Sequence, residues 1–324
     1  MRIIKALGIL LGLLVLLVVG GLVWAHVSIR QERTPLPEVA DVAKALDVPG
    51  GPVRLSYVNT ASQVMPRSGV LDADKDPSPT LPYTMSHPSF VLEWADGRIL
   101  LVDSGMTREG ATEFGRTVQE LGAGEPIQVL TPVAEALGPA RSRVRGAIFT
   151  HLHTDHVGGI ADVCRDQAER VQVFMTEAQM ERPNYTTRPG RAQLDETECL
   201  RLERLGGVAL KEVEGFPGVF VVAAAGHTPG SQIIVASVGE GDKRRLVAFA
   251  GDTVNNADGV VYDIPKPLLY RILVVPEDET RQGELRRWLR QLQNASFLIL
   301  PAHDQQQIER SGVPPYRADG GPAA

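Results

Sequence analysis

The sequence predicts a layered α/β domain carried behind a single N-terminal apolar helix. Three observations lead there. The 324 residues are 43% hydrophobic and 22% charged, the balance of a globular chain. Ala6 to Trp24 is a run of 19 residues without a charge. Beyond it, short strand-like segments pair first as a meander and then alternate with helical patterns, which suits a layered sandwich better than a pure doubly wound sheet.

At ~1.5 Å rise per residue, the apolar run is about long enough to cross a hydrocarbon core of ~30 Å. It is rich in Leu and Val and contains no proline. Arg2 and Lys5 precede it, which favours a cytoplasmic N-terminus and places the rest of the chain outside. The competing reading is a secretory signal cleaved near Val23-Trp24-Ala25. The run exceeds the roughly 7–15 apolar residues of a signal core, which favours an uncleaved anchor. Either way the domain is exported, anchored on the cytoplasmic membrane or released to the periplasm or an equivalent space.

Residues 1–27 thus read as anchor or signal, and 28–52 as a stalk with a short helical stretch between Pro-rich ends. Residues 53–310 read as the main domain, and 311–324 as a loose tail rich in Pro and Gly. Within the domain, Val53 to Val58 and Ser89 to Trp94 alternate with period two. Ala95-Asp96-Gly97-Arg98 is a hairpin turn into a strand from Ile99 to Val102. Met65 to Pro82, rich in Pro, Asp and Ser, is an exposed loop. Helical patterns follow at Gly110–Leu121 and Leu130–Leu137, then a short buried strand at Arg145–Thr150 and a polar helical region at Glu177–Leu205. Val219–Ala224, Ile233–Val238 and Leu246–Ala250 are strands, Gln282–Gln293 is an amphipathic helix, and Phe297–Leu300 is a last strand.

The formal net charge of −6, with no basic run interleaved with aromatics, argues against a nucleic-acid partner. The oligomeric state is left open. Cys164 and Cys199 could pair in an oxidising compartment or remain free and buried, and neither has a metal-ligand spacing.

Of seven histidines, five fall in short segments that end strand-like runs. His151-Leu152-His153-Thr154-Asp155-His156 packs three histidines and an aspartate into six residues. In extended chain, residues two apart face the same way, so His151 and His153 can meet at one point while Leu152 faces the core. Gly158 and Gly159 permit the turn that follows. His227, Asp252 and His303 each follow an apolar strand. Imidazoles and carboxylates together suit zinc, iron or manganese. The remaining two histidines are His26 and His87; His87, in Ser86-His87-Pro88, reads as an ordinary loop residue, with a place in the pocket lining as the alternative. There is no Gly-x-Ser-x-Gly elbow and no phosphate loop, and Ser104 has no spare histidine to activate it.

These residues resemble the metallo-β-lactamase-fold hydrolase superfamily. His151 to His156 matches its HxHxDH signature; His227, Asp252 and His303 match its later ligands in order; Asp103-Ser104-Gly105 resembles its early Asp turn. The resemblance spans about Tyr57 to Asp304. It implies a four-layer αββα sandwich with the site at one edge of two sheets. It also implies two divalent metal ions, zinc first and iron or manganese as alternatives. His151, His153 and His227 would hold one ion; Asp155, His156 and His303 the other; Asp252 would bridge. Asp155 and Asp252 are its catalytic carboxylates. Asp103 and Thr150 would orient ligands from behind. A bridging hydroxide would attack the substrate, and the site would keep a charge of about +1 to stabilise the resulting anion.

Asp252 argues against true β-lactamases, whose sites generally lack that carboxylate. The segment Phe90–Gly105, the His-Thr-Asp-His-Val-Gly-Gly run and the final Pro301-Ala302-His303-Asp304 look most like the lactonase and esterase branch. That branch usually has a tyrosine three residues after the bridging Asp; here the residue is Asn255, with Tyr262 as a candidate substitute. The expected activity is hydrolysis of a small carboxylic ester or lactone. The alternatives are a hydrolase of thioesters, phosphoesters or β-lactams, a mononuclear iron sulfur dioxygenase, and a non-catalytic membrane-bound binding protein.

Overall fold

The computed structural model describes residues 2–30, 33–120, 122–207 and 209–318. Among the described residues, twelve strands form two sheets. They are β1 (Arg54–Pro66), β2 (Pro82–Glu93), β3 (Ile99–Val102), β4 (Gln128–Val129), β5 (Val144–Ile148), β6 (Val171–Met175), β7 (Leu200–Arg204), β8 (Leu210–Glu212), β9 (Val219–Ala223), β10 (Gln232–Val238), β11 (Arg245–Gly251) and β12 (Phe297–Pro301). Seven strands run β4-β1-β2-β3-β5-β6-β7, and five run β12-β11-β10-β9-β8.

Strand alternation builds the layers. Phe90, Leu92, Leu100, Val102 and Ile148 of the larger sheet meet Val221, Ile234, Val247 and Phe249 of the smaller one in a shared core. The residues between them point the other way. Val91, Ile99, Leu101 and Ala147 pack under Val133, Leu137, Ile160 and Leu194. Val222, Ile233, Val235 and Ala248 pack under Leu285, Trp288, Leu289 and Leu292 of the helix Glu279–Asn294. The order is helix, sheet, sheet, helix: the expected αββα sandwich.

Several sequence expectations change. The hairpin of β1 and β2 is longer than its alternating patches, and the intervening loop shrinks to 67–81. Glu177–Leu205 is not all helical: after helices Glu177–Glu181 and Arg188–Glu196 it ends in β7, which pairs with the unanticipated β6. β7 is an edge strand with only Leu200 buried, so its polar composition hides it. Leu130–Leu137 is helical only over Val133–Leu137, because the Leu130 N–H is taken by the Thr60 carbonyl at the sheet edge. The C-terminal residue of the expected helix Gly110–Leu121 lies outside the described residues.

The segment read as a stalk is not free. Val42 and Leu46 are fully buried against the helix-covered face of the small sheet. The Trp288 indole donates to the Pro37 carbonyl at 2.8 Å, and Arg281 donates to Thr34 at 2.8 Å. The tail is held as well: Val313 joins the inter-sheet core, and Tyr57 exchanges backbone hydrogen bonds with Pro314 and Tyr316. Residues 319–324 of the tail lie outside the described residues. Burial of the apolar residues in both segments is what docks them, so packing extends past residues 53–310. Cys164 and Cys199 are disulfide-bonded. The N-terminal helix, Arg2–Ile29, is long and apolar enough to cross a membrane.

Candidate metal centre

The site sits where strands of both sheets end. His151, His153, Asp155 and His156 follow β5; His227 lies between β9 and β10; Asp252 follows β11; His303 follows β12. All seven sequence-predicted residues come together. Two carbonyl-binding glutamines hold the strand ends in place. Gln179 donates to the Phe149 and Gly230 carbonyls, and Gln232 donates to Phe149. Gly251 is left-handed (φ 50°), and a Cβ there would meet the Thr150 Cβ at 2.5 Å, so only glycine turns the chain into Asp252 without moving Thr150.

Three of the five clustered histidines are oriented from behind. His156 Nδ1–H donates to Asp103 Oδ2 at 2.9 Å. His303 Nδ1–H donates to the Ser86 carbonyl at 2.7 Å, and His227 Nδ1–H donates to Glu277 Oε1 at 2.6 Å. These bonds fix the orientation of each ring and turn its Nε2 inward. Asp103 takes a left-handed backbone (φ 58°) at the end of β3 and also accepts from the Thr150 N–H at 2.7 Å. The two residues expected to orient ligands therefore do so through one carboxylate.

The inward atoms form two groups around Asp252. Its Oδ2 lies 3.6 Å from His227 Nε2 and 4.0 Å from His151 Nε2. Its Oδ1 lies 3.1 Å from His303 Nε2 and 3.4 Å from His156 Nε2. His153 Nδ1 approaches His151 Nε2 to 2.9 Å. Asp155 Oδ2 lies 3.5 Å from His303 Nε2 and 3.6 Å from His156 Nε2.

Electrostatics separates the same groups. Burial, reinforced by neighbouring histidines, drives His151 well below the usual imidazole value and His153 down to about 3. Burial and Lys266 lower His227. Burial would lower His156 too, but Asp155, Asp103 and Asp252 more than reverse it. Burial opposes ionisation of Asp252, yet the surrounding histidines hold its carboxyl well below the usual range. The first group is thus neutral imidazole with free lone pairs, and both carboxylates are ionised. His156 Nε2, His227 Nε2 and Asp252 Oδ1 are buried without a hydrogen-bond partner. Stranding such atoms costs about 1–3 kcal/mol each; a cation among them would satisfy all three, so the donor set fits divalent metal ions.

Four contributors were not legible in the sequence. His87 is no loop residue: it lies in β2, fully buried, with Nδ1 3.3 Å from Asp155 Oδ2. A register shift between Asn59 and Ser62 of β1 bulges the ladder opposite it. Glu277 and Lys266 form a buried pair, Nζ to Oε1 at 2.6 Å, behind His227. Burial, with the charges of Asp252, Glu277 and Asp155, raises the Tyr270 phenol well above its usual pKa. Tyr262, the expected substitute for the missing tyrosine, is 56% exposed. His87 lacked any local motif, and the other three lie on segments brought to the site only by tertiary packing. Ser104 serves structure, its hydroxyl donating to the His156 carbonyl.

The sequence profile of the metallo-beta-lactamase superfamily matches residues 83–303. No curated protein is a significant sequence match. Among solved structures, the chain is similar to an N-acyl homoserine lactone hydrolase with the product N-hexanoyl-L-homoserine at its catalytic metal centre. The TM-score is 0.58 at 18% identity, covering 81% of this chain and 96% of that one. A mutant of B. thuringiensis AiiA holding N-decanoyl-L-homoserine at its active site also has TM-score 0.58 and 18% identity, with coverage of 81% and 96%. A probable metal-dependent hydrolase from Staphylococcus aureus has TM-score 0.52 at 14% identity, with coverage of 80% and 91%. The profile match over most of the chain, on a four-layer sandwich with this histidine and aspartate cluster at the strand ends, leads to one conclusion: the chain belongs to the metallo-β-lactamase superfamily, as a metal-dependent hydrolase.

Proposed function

We propose that this protein hydrolyses a carboxylic ester or lactone at a centre of two divalent cations, most simply zinc, in a domain held outside the cytoplasm by its N-terminal helix. The observation that carries the proposal is Asp252, whose two oxygens face different sets of imidazoles. A one-ion site has no use for that division. His151, His153 and His227 would hold one cation, Asp155, His156 and His303 the other, and Asp252 both. Bound ions would supply Lewis acidity and lower the pKa of water towards ~7.

The chain's own residues complete the chemistry. Asp103, Glu277 and the Ser86 carbonyl keep three imidazoles aimed. His87 fixes Asp155. Tyr270, whose phenol burial and the charges of Asp252, Glu277 and Asp155 keep protonated at neutral pH, would donate its hydroxyl to the substrate carbonyl or the departing alkoxide. It would stand in for the tyrosine that is replaced by Asn255. The acyl homoserine products bound by the fold neighbours make a lactone the first substrate to assay. Export is supported by the Cys164–Cys199 disulfide, which suits an oxidising compartment, and by the apolar helix.

The test is a panel of lactones, esters, thioesters, phosphoesters and β-lactams offered to the zinc-loaded full chain in detergent, with metal content measured on the same sample. Turnover dominated by esters or lactones with two ions per chain is expected. Turnover confined to another bond class would refute the substrate reading. One iron per chain would refute the two-metal centre in favour of the dioxygenase alternative.

A further inference from the structure

Between the buried pair Lys266 and Glu277, the chain makes a helical turn, Tyr270–Val274, whose neighbours are apolar and outward-facing. Leu268, Leu269, Leu273 and Val274 are each more than half exposed. Residues 267–276 contain no carboxylate and one charge, Arg271. Four exposed aliphatic side chains on one short segment are unusual on a water-facing surface. The segment is also not remote from the chemistry. Its ends, Lys266 and Glu277, buttress His227.

The same segment touches the N-terminal helix. His26 Nε2–H donates to the Ile272 carbonyl at 3.3 Å. His26 lies three residues before the end of the apolar span at Ile29, so Ile272 sits only ~4.5 Å along the axis from that boundary. Trp24 is exposed, as an interfacial tryptophan would be. The helix is not a loose tether. Ala25 and Ile29 are buried against the domain. Arg33 pairs with Asp278 and Glu284, and Thr34 and Pro37 are held by Arg281 and Trp288. The height of the domain over a bilayer is therefore set, and residues 267–276 lie at that height.

We infer that residues 267–276 form a lip that enters the outer face of the bilayer beside the anchor. There they turn the mouth of the metal centre towards the membrane, so that it takes amphiphilic esters whose acyl chain partitions into lipid. The occupant is the bilayer that already receives the helix: the exposed apolar surface is continuous with it, and Arg271 in a segment without acids suits anionic headgroups. The inference rests on the readings of the helix as an uncleaved anchor and of the site as an ester hydrolase.

The test uses the full chain, one copy per lipid nanodisc. Because Cys164 and Cys199 are disulfide-bonded, a bimane label goes only to an added cysteine. Leu273→Cys should be quenched by doxyl-labelled lipid and shielded from aqueous iodide, as should Leu14→Cys in the helix. A quenched helix label with an iodide-accessible 273 label overturns the lip. A 273 label shielded from both quenchers overturns it in favour of a protein contact. An unquenched helix label overturns the anchor and the lip with it. Kinetics supply the second arm. Leu269→Asp with Leu273→Asp should raise KM about tenfold for a long-chain ester dissolved in the disc, with kcat unchanged. KM for a water-soluble short-chain ester should stay within about twofold. Equal effects on both esters overturn the substrate class. If neither ester is turned over while the 273 label is lipid-quenched, the hydrolase reading fails and the membrane contact stands.

Discussion

Replacing Glu277 by glutamine separates two roles of one carboxylate. Glu277 Oε1 accepts from Lys266 Nζ and from His227 Nδ1, both at 2.6 Å. The Lys266 and Glu277 side chains are 4% and 1% exposed. Nζ and Nδ1 stand 3.2 Å apart, and both are donors, so neither can replace the carboxylate as the other's partner. Glu277→Gln leaves the Lys266 ammonium buried without a counter-charge, a penalty of ~3–5 kcal/mol. Against a total of ~5–15 kcal/mol for a typical domain, that is a large loss. The same change leaves a neutral amide oxygen in place of the carboxylate, a weaker acceptor for the His227 Nδ1–H, and weakening such an outer partner lowers metal affinity, by up to roughly 100-fold. Adding Lys266→Met removes the stranded charge and should recover most of the stability, but it does nothing for the acceptor facing His227. Urea unfolding of chelated protein in detergent reads the first effect, and competition with a chromophoric chelator reads the second. The reasoning is refuted if the single variant loses less than about 1 kcal/mol, or if the double variant binds metal as tightly as the parent.

Asp252→Ala should lose one of two bound ions and most of kcat; elemental analysis showing two ions per chain with full activity would contradict the bridge. Gly190→Ala would drive a Cβ into the carbonyl oxygen of Leu152, between His151 and His153. A cost of about 1–3 kcal/mol with weakened metal binding is expected, and an unchanged unfolding midpoint would show that the helix Arg188–Glu196 does not brace that loop. Tyr270→Phe should lower kcat on esters while leaving metal content intact; unchanged kinetics would remove the phenol from the reaction. Reducing the disulfide, whose cysteines are 35 residues apart, releases loop entropy of roughly 4 kcal/mol into the unfolded state. Unfolding with and without reductant measures this, and coincident curves would argue against a structural role.

The ligand cluster was legible because metal binding concentrates rare residues. His151, His153, Asp155 and His156 are adjacent, and one local turn gathers them. His227, Asp252 and His303 each follow an apolar strand, a position that points side chains to a sheet end in any layered fold. The strand pattern was legible for the same reason, since residues on alternate faces had to be apolar on both. β7 escaped because an edge strand buries little, and residues 28–52 and the tail because a few buried side chains, such as Val42 and Val313, suffice to dock a polar segment.

The sequence by itself thus indicated a layered α/β domain and the apolar helix through local pattern, and the four-layer sandwich and the seven clustered residues through the family resemblance that its motifs carry. Only the tertiary structure decided that Asp252 faces two groups of imidazoles, that Glu277 and Lys266 stand behind His227, and that His87 is turned inward by a bulge. Those are contacts between segments far apart in the chain, set by packing rather than by spacing. No reading of neighbours along the sequence contains them.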